Sequence, residues 1–291
     1  MEIREICVIG AGSMGHQISM LCALGGYETT LQDINERALK KAENQLQSIM
    51  EKWVAKGKIL EDEMQSAFER LRFTTDLEQA AGDADFVIEA VVEKLEIKQE
   101  VFEKLDKIAP SDAILATNSS TIVNSLIAGV TSRPDKVINM HFFFPPLVME
   151  CVEVVVSEQT SEESAQTTLA VCEKINKTGV LIHKEISGFV ANRILGAMQK
   201  EAMNLYDQGV ADYKDIDLIV KKALGHKIGP FELMDLSGND VVYFVMKQRF
   251  DETGDPADNP PHFIEEKVIA GELGRKTGKG WYEYGQAIIK N

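Results

Sequence analysis

Two groups of residues in this chain have types and spacing suited to chemistry. The first is Gly10-Ala11-Gly12-Ser13-Met14-Gly15 with Asp33 downstream, and the second is His141 with Glu153. In the first, Gly10 permits a tight turn off a strand, Gly12 lets the backbone approach a pyrophosphate, and Gly15 lets a helix pack closely on that strand. The helix N-terminus then offers free N–H groups and the positive end of its dipole to the phosphates. Asp33 can accept hydrogen bonds from an adenosine ribose, and its charge opposes a 2′-phosphate, so NAD is expected rather than NADP; Arg37 nearby weakens that selection. A GxGxxG run alone is weak evidence, because glycine-rich turns without ligands are common. Here it leaves a strand, opens a helix and is followed by an acid, the context the motif requires. Gly10, Gly12, Ser13, Met14, Gly15 and Asp33 are the candidate cofactor residues.

His141 stands at a strand end, ahead of Phe142-Phe143-Phe144-Pro145-Pro146. Taken alone it is better read as a histidine packed in an aromatic cluster. Glu153 shifts the balance. It interrupts the apolar run Cys151 to Val156, where a carboxylate needs a partner, and His141 is the nearest in sequence. A His–Glu pair close to a cofactor site is the arrangement expected for general-base catalysis.

The elements that must position these groups alternate. Apolar runs predict strands over Ile3 to Ile9, Tyr27 to Leu31, Phe73 to Thr75, Asp85 to Val91, Ala113 to Ala116, Lys136 to Met140, Cys151 to Val156 and Thr178 to His183. Helical periodicity falls between them, over His16 to Leu24, Asn35 to Ala55, Leu60 to Leu71, Leu95 to Ile108 and Glu162 to Lys174. Asn35 reads as an N-cap, and Asp76 opens a short turn or helix. Glu89 and Glu93 lie near a strand end, where ligands bind parallel sheets. The cluster Thr117-Asn118-Ser119-Ser120-Thr121 is either a helix cap or a set of substrate-binding groups. This alternation predicts an α/β fold: a Rossmann-type doubly wound sheet over residues 1–186. Beyond Ser187-Gly188 the pattern is helical, over Phe189 to Tyr206, Asp215 to Leu224, Pro230 to Phe250, and from Pro260-Pro261 to near Gly271. Residues 187–291 are therefore expected to form a smaller all-α domain. The basic, glycine-rich stretch Gly274 to Tyr282 is either a plain tail or an arm folded over a site.

A net charge of −15 argues against broad binding to nucleic acid or anionic membranes. The apolar runs are too short to span a bilayer, and Glu2, Arg4 and Glu5 interrupt any signal peptide. Cys7, Cys22, Cys151 and Cys172 lie in apolar segments without a CxxC pair and read as reduced core residues of a cytoplasmic protein. The histidines lack metal-ligand spacing, so no metal is expected. Lys52, Lys56 and Lys58 cluster at a helix end; spacing alone favours a solvated end over an anion site.

The residues resemble the L-3-hydroxyacyl-CoA dehydrogenase family along nearly the whole chain. The resemblance rests on Gly10 to Gly15, Glu89-Ala90-Val91-Val92-Glu93, Thr117-Asn118-Ser119-Ser120, His141-Phe142-Phe143 and Val152-Glu153-Val154. It continues in Gly188-Phe189-Val190-Ala191-Asn192-Arg193, Gly229-Pro230-Phe231-Glu232-Leu233 and Lys276-Thr277-Gly278. It implies NAD-dependent oxidation of a short-chain (3S)-3-hydroxyacyl-CoA, with His141 as general base and Glu153 orienting it. It also implies that Ser120 and Asn192 bind the substrate oxygens, that Asp33, Glu93, Lys98 and Lys276 contact NAD, and that Lys56 receives CoA phosphates. The helical domain would close the substrate cleft and carry a homodimer interface. Two departures stand out: Phe144 occupies the place of the asparagine in the usual His-Phe-Phe-Asn-Pro, and Glu150 that of a lysine. Phe-Pro-Pro is also similar to relatives acting on free hydroxy acids such as gulonate or carnitine. A dehydrogenase of a free acid, or a catalytically silent NAD-binding protein, are the alternatives.

Overall fold

The computed structural model describes residues 2–285. The chain divides into two compact units at the Phe189–Val190 bond. The first runs β1 (Glu5–Ile9), α1 (Gly15–Leu24), β2 (Glu28–Gln32), α2 (Glu36–Ala55), α3 (Glu61–Arg70), β3 (Leu71–Thr74), α4 (Leu77–Ala81) and β4 (Phe86–Glu89). It continues α5 (Leu95–Ile108), β5 (Ile114–Thr117), α6 (Asn124–Ala128), β6 (Val137–Phe142), β7 (Cys151–Val155), α7 (Glu162–Lys174) and β8 (Thr178–Ile182). The strands form an eight-stranded sheet in the order β3-β2-β1-β4-β5-β6-β7-β8. From β3 across to β6 all neighbours are parallel; β7 runs antiparallel to β6, and β8 parallel to β7.

Continuous apolar runs are what a sheet covered on both faces requires, because alternate residues must enter two different cores. Ile6 and Val8 of β1 join Phe86 and Ile88 of β4 in one core, with α1, α2, α3 and α7. Cys7, Ile9 and Val87 point the other way, into a core completed by α4, α5 and α6. The strand order reverses between β1 and β4, so the crevice at their carboxyl ends is the switch point where ligands bind such sheets.

The second unit consists of α8 (Ala191–Asp207), α9 (Tyr213–Ala223), α10 (Pro230–Ser237), α11 (Asn239–Thr253) and α12 (His262–Ile269). Two expectations are corrected here. The helix expected from Phe189 begins at Ala191, because Phe189 adopts a left-handed backbone with φ 45°. The helix expected from Pro230 to Phe250 is two, broken at Gly238, whose φ of 110° is incompatible with a helix. The core of this unit is aromatic: Phe231 and Trp281 pack edge to face at 4.5 Å, and Tyr206 and Tyr213 flank them. The stretch after Gly274 is no free tail. Asp235 of α10 accepts hydrogen bonds from the N–H of Trp281 and of Tyr282 and from the Tyr284 hydroxyl, tying it to its own unit. Among the described residues no helix is long and apolar enough to cross a membrane.

Candidate active site

β6 ends with His141, and the antiparallel register of β7 places Glu153 directly opposite it. Residues opposite one another on neighbouring strands project from the same face, so the imidazole and the carboxylate meet. Nδ1 of His141 lies 2.9 Å from Oε2 of Glu153, and both side chains are about 4% exposed. On the other side of the ring, Nε2 lies 3.1 Å from Oγ of Ser120. An ionised Glu153 can only accept, so Nδ1 carries the ring proton and Nε2 presents its lone pair, with the Ser120 hydroxyl donating to it. Phe143 packs edge-on against the ring at 4.7 Å, and Phe189 lies tilted at 5.5 Å. Together they leave the ring one orientation.

Ser120 is itself positioned from below. Lys98 of α5 is 1% exposed and pairs with both oxygens of Glu89, at 2.8 and 3.0 Å, at the end of β4. Thr117 at the end of β5 donates to the same carboxylate. Lys98 also reaches Oε2 of Glu93 at 3.3 Å. Oε1 of Glu93 accepts from the Ser119 hydroxyl, the N–H of Ser120, and the N–H and hydroxyl of Thr121. Burial alone raises the pKa of Glu93, but Lys98 and the hydrogen bonds from Ser119 and Thr121 outweigh it, and the carboxyl sits below its usual range. Asn118 fastens the same loop to β6 by accepting the N–H of Phe142 at 2.9 Å.

The cofactor loop follows β1. A Cβ on Gly10 would fall 2.7 Å from the carbonyl oxygen of Ala90, and one on Gly15 would overlap the carbonyl of Gly10, so strand, turn and helix meet only as glycine. A Cβ on Gly12 would meet nothing within 4 Å. Its smallness therefore serves no neighbour in the chain and leaves backbone open to a ligand. Asp33, just past β2, accepts the N–H of Ala11 at 2.8 Å on one oxygen and that of Asn35 at 2.9 Å on the other. Each oxygen keeps a lone pair for a ribose hydroxyl. An open glycine cradle, a helix N-terminus and a carboxylate at the tip of β2 fit NAD.

The remaining expected residues are placed as follows. Lys98, expected to touch NAD, is instead covered and saturated by carboxylates, and acts on the site through Glu93. Lys56 caps the C-terminus of α2 and is exposed, while Lys58 lies over the Trp53 ring at 5.3 Å. Asn192 is in the first turn of α8, half-buried, and Lys276 pairs with Asp240; both belong to the second unit. Phe144 is 63% exposed, and Glu150 is exposed. Sequence reasoning set Glu89 and the Thr117–Thr121 cluster at ligand-binding strand ends but gave Glu89, Thr117 and Ser119 no role of their own, and it missed Phe189. Glu89 carried the signal that revealed Glu153, an acid in an apolar strand; Phe189 carried none, since its place follows from a left-handed backbone.

Comparison with known proteins places these features in context. Residues 5–186 match the family described as 3-hydroxyacyl-CoA dehydrogenase, NAD binding domain. Residues 188–284 match the corresponding C-terminal domain. The chain is 39% identical over 284 residues, 98% of each chain, to a probable 3-hydroxybutyryl-CoA dehydrogenase of Bacillus subtilis (strain 168). It is 39% identical to a 3-hydroxybutyryl-CoA dehydrogenase of Clostridioides difficile, over 96% of this chain and 99% of the other. Among solved structures, the (S)-3-hydroxybutyryl-CoA dehydrogenase of Ralstonia eutropha superposes with a TM-score of 0.91 at 35% identity, covering 98% of this chain and 100% of that one.

Proposed function

Because the chain belongs to the 3-hydroxyacyl-CoA dehydrogenase family and is an NAD-dependent oxidoreductase of 3-hydroxyacyl-CoA thioesters, we propose that His141 is its general base and that its substrate is short, of the 3-hydroxybutyryl-CoA type. The observation that carries the base assignment is the imidazole held between Glu153 and Ser120. Nε2 takes the proton of the substrate's 3-hydroxyl, and Glu153 stabilises the imidazolium that results. NAD, when bound, accepts the hydride that leaves C3. The Ser120 hydroxyl moves from Nε2 to the substrate oxygen and holds it in line. In the reductive direction the imidazolium returns the proton to the nascent alkoxide. Positioned proton transfer of this kind is worth about 10²–10⁴-fold in rate.

Around that centre, the glycine loop and Asp33 hold the dinucleotide, Glu93 shapes its nicotinamide end, and Lys276 adds a cation. Asn192 binds a substrate oxygen, and Lys56 receives CoA phosphates. The short acyl chain is supported by the names of the relatives above. A cytoplasmic setting is supported by four unpaired cysteines, three of them buried. A homodimer through the helical unit is supported by its exposed apolar residues, among them Ile194 at 66%, Phe244 at 60% and Val245 at 56% exposure. The test is steady-state NADH oxidation with acetoacetyl-CoA, beside free acetoacetate and an NADPH control. Turnover confined to the thioester with NADH is the expected result. Equal turnover of free acetoacetate would move the substrate to the free-acid class, with Phe144 and Glu150 as its marks.

A further inference from the structure

Two adjacent side chains at the start of α1 face back toward the cofactor loop. His16 is 5% exposed, with Nδ1 2.5 Å from the carbonyl oxygen of Gly12. Gln17 is 6% exposed, and its Nε2 donates to the carbonyl of Ser13 at 3.4 Å. With those carbonyls engaged, N–H groups of the loop are left for phosphate. Gln17 has a second partner: its Oε1 accepts the N–H of Leu147 at 3.4 Å, across 130 residues of sequence. The orientation of the amide is fixed by these two contacts, since a carbonyl needs the NH₂ end and an N–H needs the oxygen.

Leu147 lies in the turn that follows the catalytic strand. Its side chain is buried in the sheet core, and its neighbours fold on Pro145, whose carbonyl accepts the N–H groups of Val148 and Met149. Lys177 holds the far end through the carbonyl of Met149 at 2.8 Å. Between these anchors the turn exposes Phe144, Val148 and Met149, at 63%, 59% and 42%. It starts three residues after His141, directly beyond Phe143, whose ring packs against the imidazole.

We propose that Gln17 is a positioning residue that couples the dinucleotide loop to the Phe144–Met149 turn, so that NAD and the acyl-CoA each raise the affinity for the other. This rests on the reading that NAD occupies the glycine loop and that the acyl substrate reacts at His141. Both Gln17 contacts are long, at 3.4 Å, and shortening either one fixes the amide for the other. A ligand on the loop therefore biases the turn, and linkage requires the effect to be reciprocal.

The experiment is an equilibrium titration of NAD with and without saturating acetoacetyl-CoA, which is already oxidised and cannot react with it. The wild-type protein is expected to bind NAD about 5-fold or more tighter when acetoacetyl-CoA is present, at the lower end of ordinary coupling. Gln17→Met matches the side chain in length but makes neither hydrogen bond, and its ratio is expected to fall to about 1. Gln17→Glu keeps the acceptor for Leu147 and loses the donor for Ser13, and its ratio should fall as well; it decides alone if the methionine variant does not fold. A wild-type ratio of 1, or an unchanged ratio in the variants, overturns the proposal. His141→Ala separates the two readings: it should lose turnover and keep the wild-type ratio, whereas turnover surviving in it would sink the base assignment and leave the coupling standing.

Discussion

Glu153 lies opposite His141 because β7 turns back along β6, and that one pairing decides which ring nitrogen is basic. Glu153→Gln is the sharpest test at this scale. A carboxamide can donate to Nδ1 and favour the opposite tautomer, so kcat should fall about 10²–10⁴-fold while NADH affinity is retained. Fluorescence titration of NADH beside steady-state kinetics reads both, and an unchanged kcat removes Glu153 from the mechanism. Lys56 and Lys58 call for a different signature. Replacing both by Ala should raise KM for acetoacetyl-CoA by about 10-fold with kcat unchanged, the pattern of a lost uniform binding contact. An unaltered KM would return them to the role of a solvated helix end. The His141–Glu153 pair was legible in the sequence because a charge in an apolar strand is conspicuous. Phe189 was not, because nothing in its neighbours announces a positive φ, nor was the burial of Lys98, which depends on Glu89 from another element.

Elements enter through the loops they hold. Most strands and helices of the first unit were legible, since continuous apolar runs and 3.6-residue periods are written into the chain. The direction of β7 was not, because a strand's apolar run is the same in either sense. In the second unit, the break at Gly238 was hidden by apolar residues on both sides of it. Three side chains from two elements there converge on Asp258: Lys200 of α8 at 2.9 Å, and Arg249 at 3.2 Å and Thr253 at 3.0 Å, both of α11. The Lys200 ammonium foremost, with Thr253 and Arg249, outweighs burial and holds the carboxyl down at about 2. A carboxyl depressed in the folded state stabilises it above the unfolded pKa of about 3.9, and that contribution is lost as pH falls toward the folded value. Asp258→Asn should therefore melt at a lower temperature than the wild type at pH 7, with the difference shrinking from about pH 4 toward pH 2. Melting curves followed by circular dichroism across that range check it, and a difference independent of pH contradicts it.

At the scale of the molecule, the chain joins a sheet unit that carries His141 and the glycine loop to a helical unit that carries Asn192. Asn192→Ala asks whether the helical unit takes part in turnover; kcat should fall about 10-fold, as for a lost hydrogen bond to a reacting oxygen. The apolar residues exposed on α8 and α11 predict a dimer in solution, which light scattering after gel filtration would show as twice the 32.3 kDa chain mass. The most direct test of the site as a whole is a single turnover with bound NADH and acetoacetyl-CoA in His141→Ala. NADH affinity should stay within about 2-fold of the wild type, and the rate of NADH oxidation should drop about 10²–10⁴-fold. A wild-type rate in that variant would mean that the proton moves through some other group.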